Sequence, residues 1–347
     1  MNRRWPAILL AIVALQLPVS PNPALAARAD WTKLLRQPDD WYRSDAGKSA
    51  VASVLSQQCR RGDWVKNIDT TKNPYEGDRV QRKGTFDNGA TVGETRFLAH
   101  AFGVTGDRKC ADAVNRSFDL ILASQYPTGG WPQSAEPGKK YPRYVTFNDG
   151  TMVGLMLLLR DVAEPTPDFR FLDDGRRQAA RRAFDRGVDC IVKCQVKVGG
   201  QKTVWCAQHD EVTLEPRPAR AFELVSLSGG ESAGILLLLM GLKDPSPEVV
   251  AAVEAGIRWY EKSQIKGVKE VVVGGDKKMV ADPNAPPIWA RFYDIETNRP
   301  IFCGRDGVVK FSVAEIEAER RNGYAWYGNW GTKLEKPYAR WKAGRNP

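Results

Sequence analysis

The chain has 347 residues, 42% of them hydrophobic, and 51 lysines and arginines against 41 aspartates and glutamates give a formal charge of +10. This is ordinary globular composition with apolar material for a large core, which excludes disordered and fibrous classes. The length suits two average domains or one large toroid or barrel.

The N-terminus reads as an export signal. Arg3 and Arg4 form a basic start, residues 7–17 an apolar stretch and Ala24-Leu25-Ala26 a small-residue cleavage site, so residues 1–26 are predicted to be removed. The stretch is far shorter than the ~20 residues needed to span a bilayer. The later apolar runs at 155–159 and 235–240 stop sooner still. The expected mature protein is soluble, monomeric, secreted or periplasmic, with no membrane partner. It stays basic, because the signal carries off only Arg3 and Arg4. An exported basic protein meets few nucleic acids, so the excess charge either draws in an anionic polymer such as an acidic polysaccharide or only aids solubility.

Residues 27–84 are expected to form an N-terminal helical segment of open role, in which residues 51–58 lead into Gly62-Asp63-Trp64. From residue 85 a degenerate repeat begins. Asp87-Asn88-Gly89-Ala90-Thr91, Asn148-Asp149-Gly150-Thr151-Met152 and Gly229-Gly230-Glu231-Ser232-Ala233 each open an apolar helix, over 95–102, 153–159 and 234–242. Each is followed by a second helix with a polar face, over 109–125, 175–195 and 247–264, with Pro165, Pro167, Pro245 and Pro247 punctuating the later starts. Two of these run into similar exits: Gln125 with Gly129-Gly130-Trp131-Pro132-Gln133, and Gln195 with Gly199-Gly200, Trp205 and Gln208. The third keeps Gln264 but shows no matching tryptophan. Residues 51–64 resemble the same exit.

Helix pairs of this kind cannot bury their apolar faces alone and must stack, so about three inner and outer pairs predict an all-α dominated α/α toroid spanning residues 85–347. The preceding segment is expected to join it in one domain. If the inner helices run the same way, their N-termini gather at one end with Asp87, Asn88, Asn148 and Asp149, which makes that end the active face. Trp131 and Trp205 are expected to be available there or opposite to stack on sugars. Beyond residue 266, Val271-Val272-Val273-Gly274-Gly275 reads as a hairpin, a proline-rich stretch and loops follow, and residues 315–321 form a short helix.

Six cysteines, Cys59, Cys110, Cys190, Cys194, Cys206 and Cys303, are compatible with one to three disulfides or with buried thiols. With no CxxC pair and only His100 and His209, a zinc cluster is not expected. Asp87 and Asp149 sit at matching places in two repeats, so both carboxylates are expected to face one mouth. Hard oxygens of this kind suit calcium, whereas a single Asp before a helix more often serves as its cap. In the loop from Gln208 to Glu223, Pro216 and Pro218 fix an extended approach to Arg220. Its guanidinium either does chemistry or holds the loop through Glu223 or Glu215. His209 reads equally well as a hydrogen-bonding loop group. Arg291 and Arg305, in aromatic company, suit carboxylate clamps, since guanidinium forks bind carboxylates in bidentate fashion, or loop-tethering salt bridges.

The stretches TFDNGATVGETRFLAHAF, QYPTGGWPQ, TFNDGTMVGLMLLL, QHDEVTLEPRPARAFELVSLSGGES, WARFYDIETNRPIFCGRDG and ERRNGYAWYGNWG, in order over residues 85–331, closely resemble polysaccharide lyase family 10, the pectate lyases. The resemblance implies an α/α toroid and calcium-dependent β-elimination on polygalacturonate. It further implies that Asp87 and Asp149 serve a Ca2+ site, that Arg220 is the base, and that Asn88, Arg291 and Arg305 bind substrate. Calcium and arginines on the uronate carboxylate would stabilise the enolate-like charge that grows as the C5 proton leaves. Two rival readings remain: a toroid hydrolase pairing Asp87 with Asp149 or Glu211, and a pectin-binding protein without catalysis.

Overall fold

The computed structural model describes residues 28–164 and 166–345, so the expected signal peptide lies outside them. The repeat becomes eight principal helices: α1 (Asp45–Gln57), α2 (Val92–Thr105), α3 (Arg108–Ala123), α4 (Thr151–Ala163), α5 (Asp174–Cys194), α6 (Glu231–Met240), α7 (Pro247–Lys262) and α8 (Thr332–Ala343). α2, α4 and α6 are the apolar inner helices, and α3, α5 and α7 back them pairwise. α1 packs on both α2 and α3 in the position of an outer helix, and among the described residues no long helix precedes it as an inner partner. The fold is the toroid-like helical stack that the repeat predicts. Among the described residues no helix is long and apolar enough to cross a membrane.

The two helix types start differently. Ser44, Asp107, Asp173 and Ser246 each cap an outer-type helix by accepting a backbone N–H at 2.8 to 3.4 Å, which supplies partners that the first turn of a helix lacks. Thr91, Gly150 and Gly230 precede the inner helices without a side-chain cap of their own, although at α6 Ser228 Oγ accepts the first N–H at 3.1 Å. The inner N-termini therefore open onto whatever the loops around them provide.

The exits lock neighbouring pairs together. Gln58 Nε2 donates to Gly62 O and Ala113 O, Gln125 Nε2 to Gly129 O and Ala183 O, and Gln195 Nε2 to Thr203 O and Ala252 O, all between 2.8 and 3.0 Å. Each amide thus ties its own exit to the next outer helix. Trp64, Trp131 and Trp205 are fully buried, and their indole N–H groups donate to Val54, Ile121 and Ile191 at 2.7 to 2.8 Å. This corrects the expectation that Trp131 and Trp205 stack on sugars: a large ring whose one polar atom finds a helix carbonyl is most stable in the core. Gly62 and Gly129, at φ 115° and 93°, lie so close to the next outer helix that a Cβ would meet Arg116 O at 2.6 Å and Arg186 O at 2.2 Å.

The fourth exit is present after all. Trp289 is buried and donates to Tyr260 O at 2.9 Å, the same bond displaced along the sequence by the hairpin Val268–Val273 with Asp276–Ala281. The bridge between Ile265 and Ile288 closes that insertion off. The late helix spans Ala318–Gly323, slightly beyond its predicted place. α8 was not legible, because its sequence is polar and carries Pro337, and it takes its stability from packing on α6. Residues 31–64 share the toroid's core through Tyr42, Val54 and Trp64. All six cysteines are buried free thiols, with Cys190 and Cys194 Sγ 3.9 Å apart.

Candidate active site

Short ladders carry the loops to the mouth. Gln208–His209 pairs with Val145–Thr146 on one side and with Pro216–Arg217 on the other, which delivers the Arg220 turn. Arg291 lies between two pairings, Trp289–Ala290 with Tyr327–Gly328 and Phe292–Tyr293 with Leu227–Ser228. Its own N–H and C=O bond Trp326 O and Gly229 N at 2.7 and 2.9 Å. The side chain is therefore aimed by a fixed backbone.

The loops that open α2 and α4 superpose in kind. Asp87-Asn88-Gly89 and Asn148-Asp149-Gly150 are both single 3-10 turns, with Asn88 at φ 57° and Asp149 at φ 51°, a left-handed conformation that Asn and Asp tolerate better than most residues. Asp87 is thus the counterpart of Asn148, and Asn88 that of Asp149. Asp87 and Asp149 do not sit at matching places, as their spacing suggested, but one residue out of step. They still face the same cleft, of about 140 Å³, along with Lys66, Asn88, Gln133 and Arg220.

Asp87 is 1% exposed. Its Oδ2 accepts from Lys66 Nζ and from Gln133 Nε2 at 2.6 Å, and its Oδ1 is buried without a hydrogen-bond partner. Asp149 is more open: its Oδ2 accepts from Asn148 Nδ2 at 2.8 Å and its Oδ1 from Arg291 at 3.2 Å. Both carboxylates bond side chains, and neither residue is the cap of an inner helix.

Arg220 is half exposed and forks Glu223, with Nε at 2.7 Å from Oε2 and Nη2 at 2.5 Å from Oε1. That hydrogen bond outweighs burial and raises the guanidinium pKa, so Arg220 is held as a cation. Burial pushes the Glu223 carboxyl up, but Arg220 more than offsets it and keeps the group ionised. Tyr324 donates to Glu223 Oε1 at 2.8 Å, and Arg291 lies 4.7 Å over its ring, so one tyrosine links the two arginines. Arg291 also bonds Glu231 at 2.7 Å. Burial pushes Glu231 up to about 7 despite Arg291, with Asp149 adding to the rise. Burial alone would lower the Arg291 pKa, but Glu231 and Asp149 hold it raised.

The structure brings Asp87, Asn88, Asp149 and Arg220 into one cleft and sets Arg291 against its Asp149 wall. Arg305 is not among the cleft lining. It forks Glu319 at 3.0 Å from an exposed hairpin, which docks on the Arg220 turn where Cys303 Sγ meets Ala221 O at 3.5 Å. Glu211 bonds Arg143 at 2.7 Å and also lies outside the lining. His209 is fully buried, its Nδ1 toward Leu214 O at 2.9 Å and its Nε2 accepting from Cys206 N at 3.2 Å. Desolvation lowers its pKa to about 4, so it is a neutral structural group. Sequence reasoning missed Lys66, Glu231 and Tyr324. Glu231 and Tyr324 stand inside motif stretches, but nothing in their spacing shows that they converge on Arg291.

A toroid-like helical stack whose inner N-termini gather carboxylates, amides and an arginine in one polar cleft has the groups that binding an acidic polymer calls for. The pectic acid lyase family profile matches residues 58–335. A family 10 polysaccharide lyase from Cellvibrio cellulosa is 35% identical over 87% of this chain and 94% of that one, with a TM-score of 0.80. An aspartate-to-alanine mutant of the family 10 enzyme from that organism, in complex with trigalacturonic acid, is 34% identical over 90% and 98%, with a TM-score of 0.79. No curated protein matches. The chain belongs to the pectic acid lyase family and is a polysaccharide lyase.

Proposed function

We propose that the protein is a calcium-dependent pectate lyase that cleaves α-1,4-linked polygalacturonate by β-elimination, leaving 4,5-unsaturated oligogalacturonates, and that it acts outside the cytoplasm after loss of residues 1–26. The observation that carries the reading is the convergence of Asp87, Asn88, Asp149 and Arg220, from three separate loops, on one cleft. Trigalacturonic acid in the related complex supports a uronate polymer as substrate.

The residues present fit calcium. Asp87 Oδ1 is a buried oxygen with no donor, and Asp149, Asn88 and Asn148 bring further hard oxygens to the same cleft. Among the described residues no group of three or more His, Cys, Asp or Glu side chains is arranged to hold a metal. Asp87 and Asp149 would therefore hold an ion whose other positions go to uronate and water. Bound there, calcium would supply Lewis-acid stabilisation of the uronate carboxylate.

The protein's own part is to hold that carboxylate and move one proton. Arg291, with Arg305 from the rim hairpin, would pair with uronate carboxylates, and Asn88 would bond the substrate. Arg220 would take the C5 proton on a guanidine nitrogen. The C5–H electrons become the C4–C5 double bond, and the C4–O bond breaks with its electrons leaving on the glycosidic oxygen, which solvent protonates. Arginine is a base only in its rare neutral form, and Glu223 makes that form rarer. Substrate binding has to draw Arg220 off Glu223 for this role. Incubation with polygalacturonate and calcium tests the reading: ultraviolet absorbance from unsaturated uronate is expected. New reducing ends without it mean hydrolysis, and binding without shortening means a carbohydrate-binding protein.

A further inference from the structure

Lys66 comes from the segment before residue 85, to which the sequence assigns no role. Its ammonium bonds Asp87 Oδ2, beside the carboxylate oxygen that has no partner. Lys66 also borders a second hollow of about 10 Å³, whose lining includes Arg28, Asn67, Asn88 and Glu94. That is room for one group the size of a water molecule or an ammonium head. Glu94 is 3% exposed. Its Oε1 accepts from Thr70 Oγ1 at 3.0 Å, and its Oε2 is buried with no partner. Arg28, in the same hollow, bonds Asn88 Oδ1 at 3.5 Å instead.

Two buried acids thus flank one lysine, and the lysine satisfies only one of them. A buried carboxylate oxygen without a donor is costly, and a charge-assisted bond is the strongest way to satisfy it. A divalent cation at Asp87 would repel the ammonium already there. The flexible stem of lysine, unlike a planar guanidinium, lets the head turn to a second acceptor.

We propose that Lys66 is the resident counter-cation of Asp87, that a divalent cation binding at Asp87 displaces its ammonium, and that Glu94 receives it. The proposal rests on the reading of Asp87 as a calcium ligand. It makes Lys66 a device that sets metal affinity, because the ion must compete with a charge the chain itself supplies.

Calorimetric titration of the mature full-length protein with calcium chloride alone, without pectate, tests it. Lys66→Met is expected to bind calcium about tenfold more tightly than the wild type, the scale of one charge-assisted bond in a partly exposed setting. Lys140→Met, which removes an exposed lysine, should change affinity by less than about twofold at physiological salt. Glu94→Gln should weaken calcium binding in the wild-type background and leave it unchanged in the Lys66→Met background. Calcium binding by Lys66→Met no tighter than by the wild type overturns the proposal. So does an equal effect of Glu94→Gln in both backgrounds. If trigalacturonate affinity falls while calcium affinity holds, Lys66 is a sugar ligand and the proposal is likewise overturned. Absence of calcium binding in all the proteins refutes the calcium reading of Asp87 itself. Should Glu94→Gln not fold, the Lys66→Met comparison still decides whether Lys66 competes with calcium.

Discussion

Behind the mouth, three exits make the same bonds from the same residues: Gln58, Gln125 and Gln195 each clamp two carbonyls, and Trp64, Trp131 and Trp205 each donate to a helix carbonyl. At the mouth, the three loops that follow those exits are all different. Asp87 stands against Asn148 and Asn88 against Asp149, and the third loop dispenses with the 3-10 turn and brings Glu231. The same repeat is kept where its glutamines and tryptophans pack and broken where the polar cleft opens. Carboxylates repeated at every position would repel one another without a cation to hold them. An Asp and an Asn exchanged between two loops present two acids and two amides to one cleft.

Substitutions separate the two regions. The largest effect is expected at the mouth, where Arg220→Lys keeps the charge but loses the planar fork and shifts its position. It should melt like the wild type and still bind oligogalacturonate, while single-turnover elimination falls by about a hundredfold or more. Normal turnover in Arg220→Lys together with a lowered melting temperature in Arg220→Ala would assign Arg220 to holding the loop. Asp149→Asn, which tolerates the φ of 51° there, should likewise lose calcium-supported activity with little change in melting, since Asp149 caps no helix. Full activity after exhaustive chelation would remove the metal from the account.

Behind the mouth the reverse is expected. Trp131→Ala should cost about 3 to 5 kcal/mol of stability, the usual range for emptying a core aromatic site, measured by denaturant unfolding. If it unfolds as easily as the wild type, the exits are not the structural part of the repeat.

A subtler contrast lies in pH. His209 is neutral in the fold, with its pKa lowered to about 4. A group depressed in this way contributes fully above its unfolded value of about 6.5 and loses that contribution as pH falls toward 4, a loss on the order of 3 kcal/mol. Melting temperature should fall across that window, and His209→Gln should flatten the fall. At the mouth, Glu223 raises the pKa of Arg220. Glu223→Gln should therefore move the climb of elimination rate with pH to lower pH if Arg220 is the base, and leave it in place if Arg220 only stabilises charge.

Much of this was legible in the sequence because repetition is legible. Gly129-Gly130-Trp131 and Gly62-Asp63-Trp64 mark the exits, and the apolar runs mark α2, α4 and α6. The role of the tryptophans was not, since a sequence shows a ring but not the carbonyl of Ile121 that takes its N–H. Trp289 escaped because a hairpin separates it from Gln264. At the mouth, Asp87, Asn88, Asp149 and Arg220 could be named because each stands in a recognisable motif. Lys66 is joined to Asp87, Glu231 to Arg291 and Tyr324 to Glu223 by long-range contacts that spacing does not encode.

The central claim is that the broken repeat at the mouth performs β-elimination. Ultraviolet absorbance of unsaturated uronate, followed in a single turnover of de-esterified polygalacturonate with calcium, tests it most directly. The account predicts that the signal rises with the wild type, vanishes on chelation, returns with calcium and is nearly abolished in Arg220→Lys. Polymer shortened without that absorbance, or a signal undiminished in Arg220→Ala, would contradict it.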